Sequence, residues 1–235
     1  KYPHIAWDFS GAHIDTIGPT LKQFDRLARD FPYVAARLRY VGTVRGAEVL
    51  TKPGYQNVPT FVSNTGREIV LNTRFYGAPT RLAQLLADAK ASKWLVGDGT
   101  IGQLLTHEWG HLLDTYLQGS TGALLAFVAD DERGMVRSAI ADFKQRYASA
   151  PALSRYGETL PREAFAEGLA ALYHGSAEVR RKTYTRALRN FLGQIGQPAN
   201  WYTRGWWRRI RSLPTSQRAR VQQEIDALWR ELGLQ

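Results

Sequence analysis

The spacing of hydrophobic positions changes along the chain, and each change marks an element. Residues 1–16 keep no period and predict an irregular lead-in. From Pro19 onward Leu21, Phe24, Leu27, Ala28 and Phe31 fall on one helical face, and Pro32 predicts the end of that helix. Residues 34–44 and 47–51 read as strands. Residues 60–63 and 68–73, joined across Asn64, Thr65 and Gly66, read as a β-hairpin with a glycine-containing turn. Residues 79–93 predict a helix.

Gly97, Asp98 and Gly99 then break the chain. Thr100 followed by Gln103 fits a capping box, which opens a helix running to about residue 117. Residues 131–147 are amphipathic at helical spacing, and 148–160 read as a loop. Pro161 suits a first helical turn, so 162–174 predict a helix rich in small residues. Tyr184, Leu188, Phe191 and Ile195 stripe the next helix, 198–214 is Trp-rich, and 215–232 predict a last helix. The order of helix, then strands, then mostly helices gives an α+β class: a small N-terminal mixed sheet and a mainly helical C-terminal part. No repeat or linker divides the chain, so residues 1–235 read as a single domain.

Composition narrows the chemistry. There is no cysteine, so a bound metal must be held by His, Asp or Glu. The first residue, Lys1, fits a processed form or an excised domain. No apolar run approaches the roughly 18 residues that span a bilayer, so no membrane span is expected. The net charge of +10 is concentrated at one end. Residues 180–235 hold twelve Lys/Arg against three acids (Glu224, Asp226 and Glu231). There Trp201, Tyr202, Trp206 and Trp207 interleave with Arg204, Arg208, Arg209 and Arg211. Such a pattern can stack bases and pair phosphates, which makes those arginines candidate nucleic-acid or polyanion contacts. The simpler reading packs the Trp rings on the core with Arg stems lying over them.

The strongest chemical pattern is His107-Glu108-Trp109-Gly110-His111. His residues four apart lie one turn above each other on the same helix face, where both imidazoles can reach one tetrahedral zinc. Glu108 is rotated to the side of that face. It can take a proton from a zinc-bound water and hand it to a leaving amine. Leu105, Trp109, Leu112 and Tyr116 are spaced to bury the opposite side, and Gly110 leaves room beside the site. The chain has five His in all, and two of them fall at this spacing. A third ligand is available in Glu163, with Glu167 one turn later. Ala164, Ala166, Gly168, Ala170 and Ala171 keep that helix thin enough to approach closely. Glu163 is therefore the candidate third ligand. Glu167 can accept a hydrogen bond from a liganding imidazole, and Asp114, on the histidine face, is a second such candidate.

Two blocks, HEWGHLLDTY at 107–116 and SRYGETLPREAFAEGLAALYHGSAE at 154–178, resemble the protease domain of anthrax lethal factor and related gluzincins. That group includes Pro-Pro endopeptidases and lethal-factor-like domains of toxins and phages. The resemblance implies a zincin-like metallopeptidase fold with one Zn²⁺ per chain and hydrolysis of internal peptide bonds in an extended protein or peptide substrate. It implies His107, His111 and Glu163 as ligands, Glu108 as general base and Tyr156 as oxyanion donor, a role that a neutral phenol can fill without adding charge. Glu167 would support a ligand. His174 matches a family position, and its place near a helix C-terminus favours a structural role. The strand around Ile69, Val70 and Leu71 is either the edge strand that pairs with substrate or an ordinary core strand. A secreted or virion-associated location is expected over a cytoplasmic one. Two other functions stay open: a toxin effector or phage structural protein carrying such a domain, and a nucleic-acid-binding accessory protein using the basic end.

Overall fold

A computed structural model of the chain describes residues 2–43, 54–63, 65–118 and 153–195, and residue 215 besides. The expected strand at 47–51, the helix at 131–147, the Trp-rich stretch and nearly all of the last helix lie outside the described residues, as do Arg204, Arg208, Arg209 and Arg211.

The first helix, α1 (Ile14–Asp30), starts before Pro19 because His13 caps it, its side chain accepting a hydrogen bond from the Asp15 N–H at 3.2 Å. Pro19 is tolerated inside because the carbonyl deprived of a partner belongs to Asp15, which is exposed to water. The buried face is Thr16, Thr20, Gln23, Phe24, Leu27 and Ala28, whereas Leu21 is exposed. Within the expected lead-in, Ala6–Asp8 forms strand β1. Three residues carry no readable alternation, and this strand exists by pairing with a partner distant in sequence.

The expected strand at 34–44 is corrected in the structure. Pro32–Ala35 forms a short helix, α2, and only Tyr40–Gly42 is extended, as β2. Folding back beneath α1 buries Val34, Ala35 and Leu38, which a continuous strand could not do. β3 (Thr60–Val62) and β4 (Glu68–Leu71) form the predicted antiparallel hairpin, with Phe61 opposite Val70. The sheet is mixed, in the order β1-β2-β4-β3, with β1/β2 and β2/β4 parallel. β4 is thus an interior strand, and among the described residues the edge beside it is β3. Gly42 lets β1 and β2 close up, since a side chain there would run into the backbone of Asp8.

Two helices follow, α3 (Thr73–Tyr76) and α4 (Pro79–Ala91). After the glycine break come α5 (Ile101–Gln118), α6 (Pro161–His174), α7 (Ala177–Arg181) and α8 (Thr183–Ile195). α5 is the central element: α1 packs on one side, α6 on another, and β3 touches it. Trp109, fully buried, meets Phe24 of α1 edge-on with ring centroids 5.3 Å apart. Leu105 and Leu112 share that core. Among the described residues no helix is long and apolar enough to cross a membrane.

Two glycines let α6 pack closely, Gly110 against α5 and Gly168 against α8. A Cβ on Gly110 would lie 2.6 Å from the Ala166 Cα, and a Cβ on Gly168 would lie 2.6 Å from the Tyr184 ring and 2.7 Å from Leu188. A methyl group at Gly110 must therefore push α6 away. Gly110→Ala should destabilise the fold by about 1–3 kcal/mol, the usual cost of overpacking a core, read as a lower urea midpoint with unchanged slope. A midpoint equal to wild type would show that the helices can separate without penalty.

Candidate metal centre

The glycine break sets up α5. Gly97 and Gly99 take φ of 113° and 74°, a region that L side chains rarely adopt. Thr100 Oγ1 accepts the Gln103 N–H at 3.3 Å, as a capping box requires, but the Gln103 side chain returns to the N–H of Gly99 at 2.8 Å. The Thr100 N–H goes instead to Asp98 Oδ1 at 3.1 Å. The Gln103 amide also donates to the Val96 carbonyl, which ties the start of α5 to residues 93–97. α6 begins at Pro161, whose missing N–H is no loss in a first turn, and Glu163 sits in that turn, where the helix dipole favours a carboxylate.

These placements bring His107, His111 and Glu163 together as a group able to hold a metal ion. Glu163 Oε2 lies 3.3 Å from His107 Nε2 and 3.0 Å from His111 Nε2, and the two imidazole nitrogens are 3.1 Å apart. His107 and Glu163 are each 4% exposed, so none of this is surface charge pairing. Glu163 Oε2 is buried without a well-formed hydrogen bond, even though both rings are near it. Two imidazole nitrogens and a carboxylate oxygen thus converge on a common centre, as the donors of a metal site do.

Glu167, fully buried, supports the group from behind. Its Oε1 contacts His107 Nδ1 at 2.8 Å, and its Oε2 accepts the Val96 N–H at 2.7 Å. A ring N–H on Nδ1 pointing to a carboxylate leaves the Nε2 lone pair directed at the centre. Asp114 is buried within electrostatic range of Tyr184 on α8, whose hydroxyl it helps to raise in pKa. Glu167 meets the candidate ligand His107.

Glu108 is buried beside the group. Burial raises its pKa, against which the neighbouring His107 and His111 act, while the N–H of Val62 on β3 is hydrogen-bonded to it. Among the protein groups alone, burial disfavours a charged His107, but the carboxylates of Glu163 and Glu167 set against its two ring nitrogens outweigh this and push its pKa up to about 10. Glu163 moves the opposite way: burial would raise it, and the two imidazoles hold it well below the usual carboxylate range. Opposite charges are therefore held tightly among these side chains, and a bound cation would displace a proton from them.

Tyr156 reaches the same place from the loop before α6. Its ring lies nearly parallel to that of His107, with centroids 5.3 Å apart, and its hydroxyl pKa is raised by burial and by the charge of Glu163, to which it is hydrogen-bonded. His174 is elsewhere. Its Nδ1 contacts Asp98 Oδ2 at 3.0 Å and its Nε2 contacts Thr106 Oγ1 at 3.0 Å, and Thr106 also accepts from Gln23 Nε2 at 2.8 Å. Both ring nitrogens of His174 are engaged in this chain of contacts, which pins the end of α6 to α5 and α1. The charge of His174 and its hydrogen bond help lower the Asp98 carboxyl, although burial alone would raise it.

Sequence reasoning missed the part played by residues 93–97, whose main chain holds Glu167 and Gln103 and also receives the N–H groups of Arg155 and Tyr156. Backbone groups leave no residue-type signature, so only the glycines flanking Asp98 pointed there. A comparison of the chain with protein-family models, with curated proteins and with solved structures finds no match.

The metal group generates a direct test. Purified protein should carry one divalent ion per chain by elemental analysis, and His111→Ala or Glu163→Ala should lose it. Glu167→Ala, which removes the support of His107 together with the acceptor of the Val96 N–H, should weaken affinity about 10–100-fold in a chelator competition. Full occupancy in Glu163→Ala would put the third ligand elsewhere.

Proposed function

We propose that the chain is a zinc-dependent endopeptidase of the zincin type. The observation that carries this reading is the triangle of atoms from buried His107 and Glu163 and half-buried His111, with edges of 3.0, 3.1 and 3.3 Å. Around a tetrahedral ion with bonds of about 2.0–2.1 Å, neighbouring ligand atoms stand about 3.3 Å apart, so the donors fit zinc in both chemistry and spacing. Three protein ligands leave one tetrahedral position open, which is the pattern of a catalytic rather than a structural site. The orphaned Glu163 Oε2 supports the same conclusion, since a buried carboxylate oxygen with no hydrogen bond is otherwise costly.

When bound, zinc would supply Lewis acidity, polarising water and the scissile carbonyl. The chain's own residues supply the rest. Glu108 takes a proton from the attacking water as the C–O bond forms, and returns it to the amine as the C–N bond breaks. The hydroxyl of Tyr156 donates a hydrogen bond to the developing oxyanion, a neutral donor beside a positive centre. Glu167 keeps the proton of His107 on Nδ1 and so keeps Nε2 available. β3 supplies the substrate surface: it is the sheet edge among the described residues, and the N–H of Val62 is hydrogen-bonded to Glu108. An extended peptide laid along that edge passes directly in front of the base.

Glu108→Gln keeps size and hydrogen bonding but removes the base. It should lower kcat by about 10²–10⁴ on a peptide found by library cleavage, with metal content and melting temperature unchanged. Tyr156→Phe keeps the ring and removes one oxyanion donor, for a loss of about 10²–10³ in kcat with little change in KM. Near-wild-type turnover by Glu108→Gln would rule out this mechanism, and near-wild-type turnover by Tyr156→Phe would remove the tyrosine from it.

A further inference from the structure

Trp94 is one of the few large apolar side chains exposed among the described residues, at 45%, and it does not stand alone. Its ring lies against Tyr156, centroids 5.5 Å apart and planes 25° from parallel. Tyr156 in turn lies against His107 at 5.3 Å and 26°. Three rings thus form one near-parallel series, from solvent to a candidate metal ligand. The main chain reinforces it. The N–H of Tyr156 donates to the Trp94 carbonyl at 3.1 Å, and that of Arg155 to the Lys93 carbonyl at 3.0 Å. Lys93 adopts φ of 57°, the left-handed conformation that a lysine takes only when its surroundings demand it. Three residues further on, the Val96 N–H holds Glu167.

From this arrangement we infer that Trp94 is a positioning residue for Tyr156, holding the phenol ring in the orientation that aims its hydroxyl at the reacting carbonyl. The inference rests on the peptidase reading given above for the role of that hydroxyl. A tyrosine on a loop has two side-chain torsions; its backbone bond to Trp94 restrains neither, and the hydrogen bond of its hydroxyl to Glu163 ties the tip without fixing the plane of the ring. The His107 ring covers it on one side. The indole is the other aromatic surface in contact with it, and aromatic pairs at these separations favour a defined mutual orientation. Leaving half of a tryptophan in water is unfavourable, and the stack gives that exposure a purpose. A hydroxyl misaimed by about 1 Å can cost about 10²-fold in rate, so the constraint has a kinetic reading.

The test compares Trp94→Leu with Trp94→Phe in the full, zinc-loaded chain. Both keep an apolar side chain at a half-exposed site, and only Phe keeps a ring to stack. Trp94→Leu should lose about 10–10²-fold in kcat with KM within twofold and full metal content, and Trp94→Phe should recover most of it. In a Tyr156→Phe background, Trp94→Leu should cause no further loss, because the group it positions is gone. A purely structural role would instead lower both backgrounds equally. A second readout needs no turnover: the ¹⁹F resonance of fluorotyrosine at position 156, assigned by its loss in Tyr156→Phe, should keep its place in Trp94→Phe and move toward the value of a free ring in Trp94→Leu. Equal kcat for the Leu and Phe variants, or an unmoved resonance in Trp94→Leu, overturns the inference. Absence of turnover in the wild-type chain would count against the peptidase reading, and the fluorine shift would then decide the position of the ring by itself.

Discussion

The close contact of α5 with α6 is the constraint on which everything else depends. Gly110 faces the backbone of Ala166, and no other residue fits at that distance. The short approach lets a glutamate in the first turn of α6 reach two imidazoles on α5 with a side chain of ordinary length. It also buries Glu163 and Glu167, which then require partners. His107 meets both carboxylates, one through each ring nitrogen. Packing and chemistry are thus not separable here: the small residues that close the helix interface are the same ones that force the polar groups together.

Around that contact the structure builds outward in layers of increasing exposure. Glu167, fully buried, links His107 to the main chain of Val96. Residues 93–97 link Val96 to the start of α5 and to the loop carrying Tyr156. The sheet contributes from the opposite side, where β3 places the N–H of Val62 against Glu108. A carboxylate fixed by a backbone donor keeps its orientation without a further side chain, which suits a group proposed to shuttle a proton.

Much of this was legible in the residues, and what was not has a physical reason. The helices bearing His107, His111, Glu163 and Glu167 were readable because helical spacing puts residues four apart on one face wherever the helix packs. The small residues around Glu167 announced a close approach, so a contact with a liganding imidazole was readable, and the structure makes that imidazole His107. β1 and the shortness of β2 were not readable: three-residue strands are created by pairing, and their local sequence has no period. The choice between edge and core for the strand of Ile69, Val70 and Leu71 was open, because neighbour order in a sheet is a property of topology. Among the described residues it resolves with β4 inside and β3 at the edge. The first helix was misplaced at its start because Pro19 resembles a first-turn proline, while the actual cap is the less common His13.

The ligand group also has a consequence for how the chain holds together. His111 and Glu163 are separated by about 50 residues of intervening sequence. An ion bound to both would act as a reversible cross-link closing a long loop, and long loops are those whose closure removes the most freedom from the unfolded chain. Because the ligand set does not exist before α5 and α6 meet, binding energy at this point becomes folding energy. The helix pair would then be locked while loaded and released by a chelator, and the resistance of the chain to unfolding would follow the free concentration of metal around it.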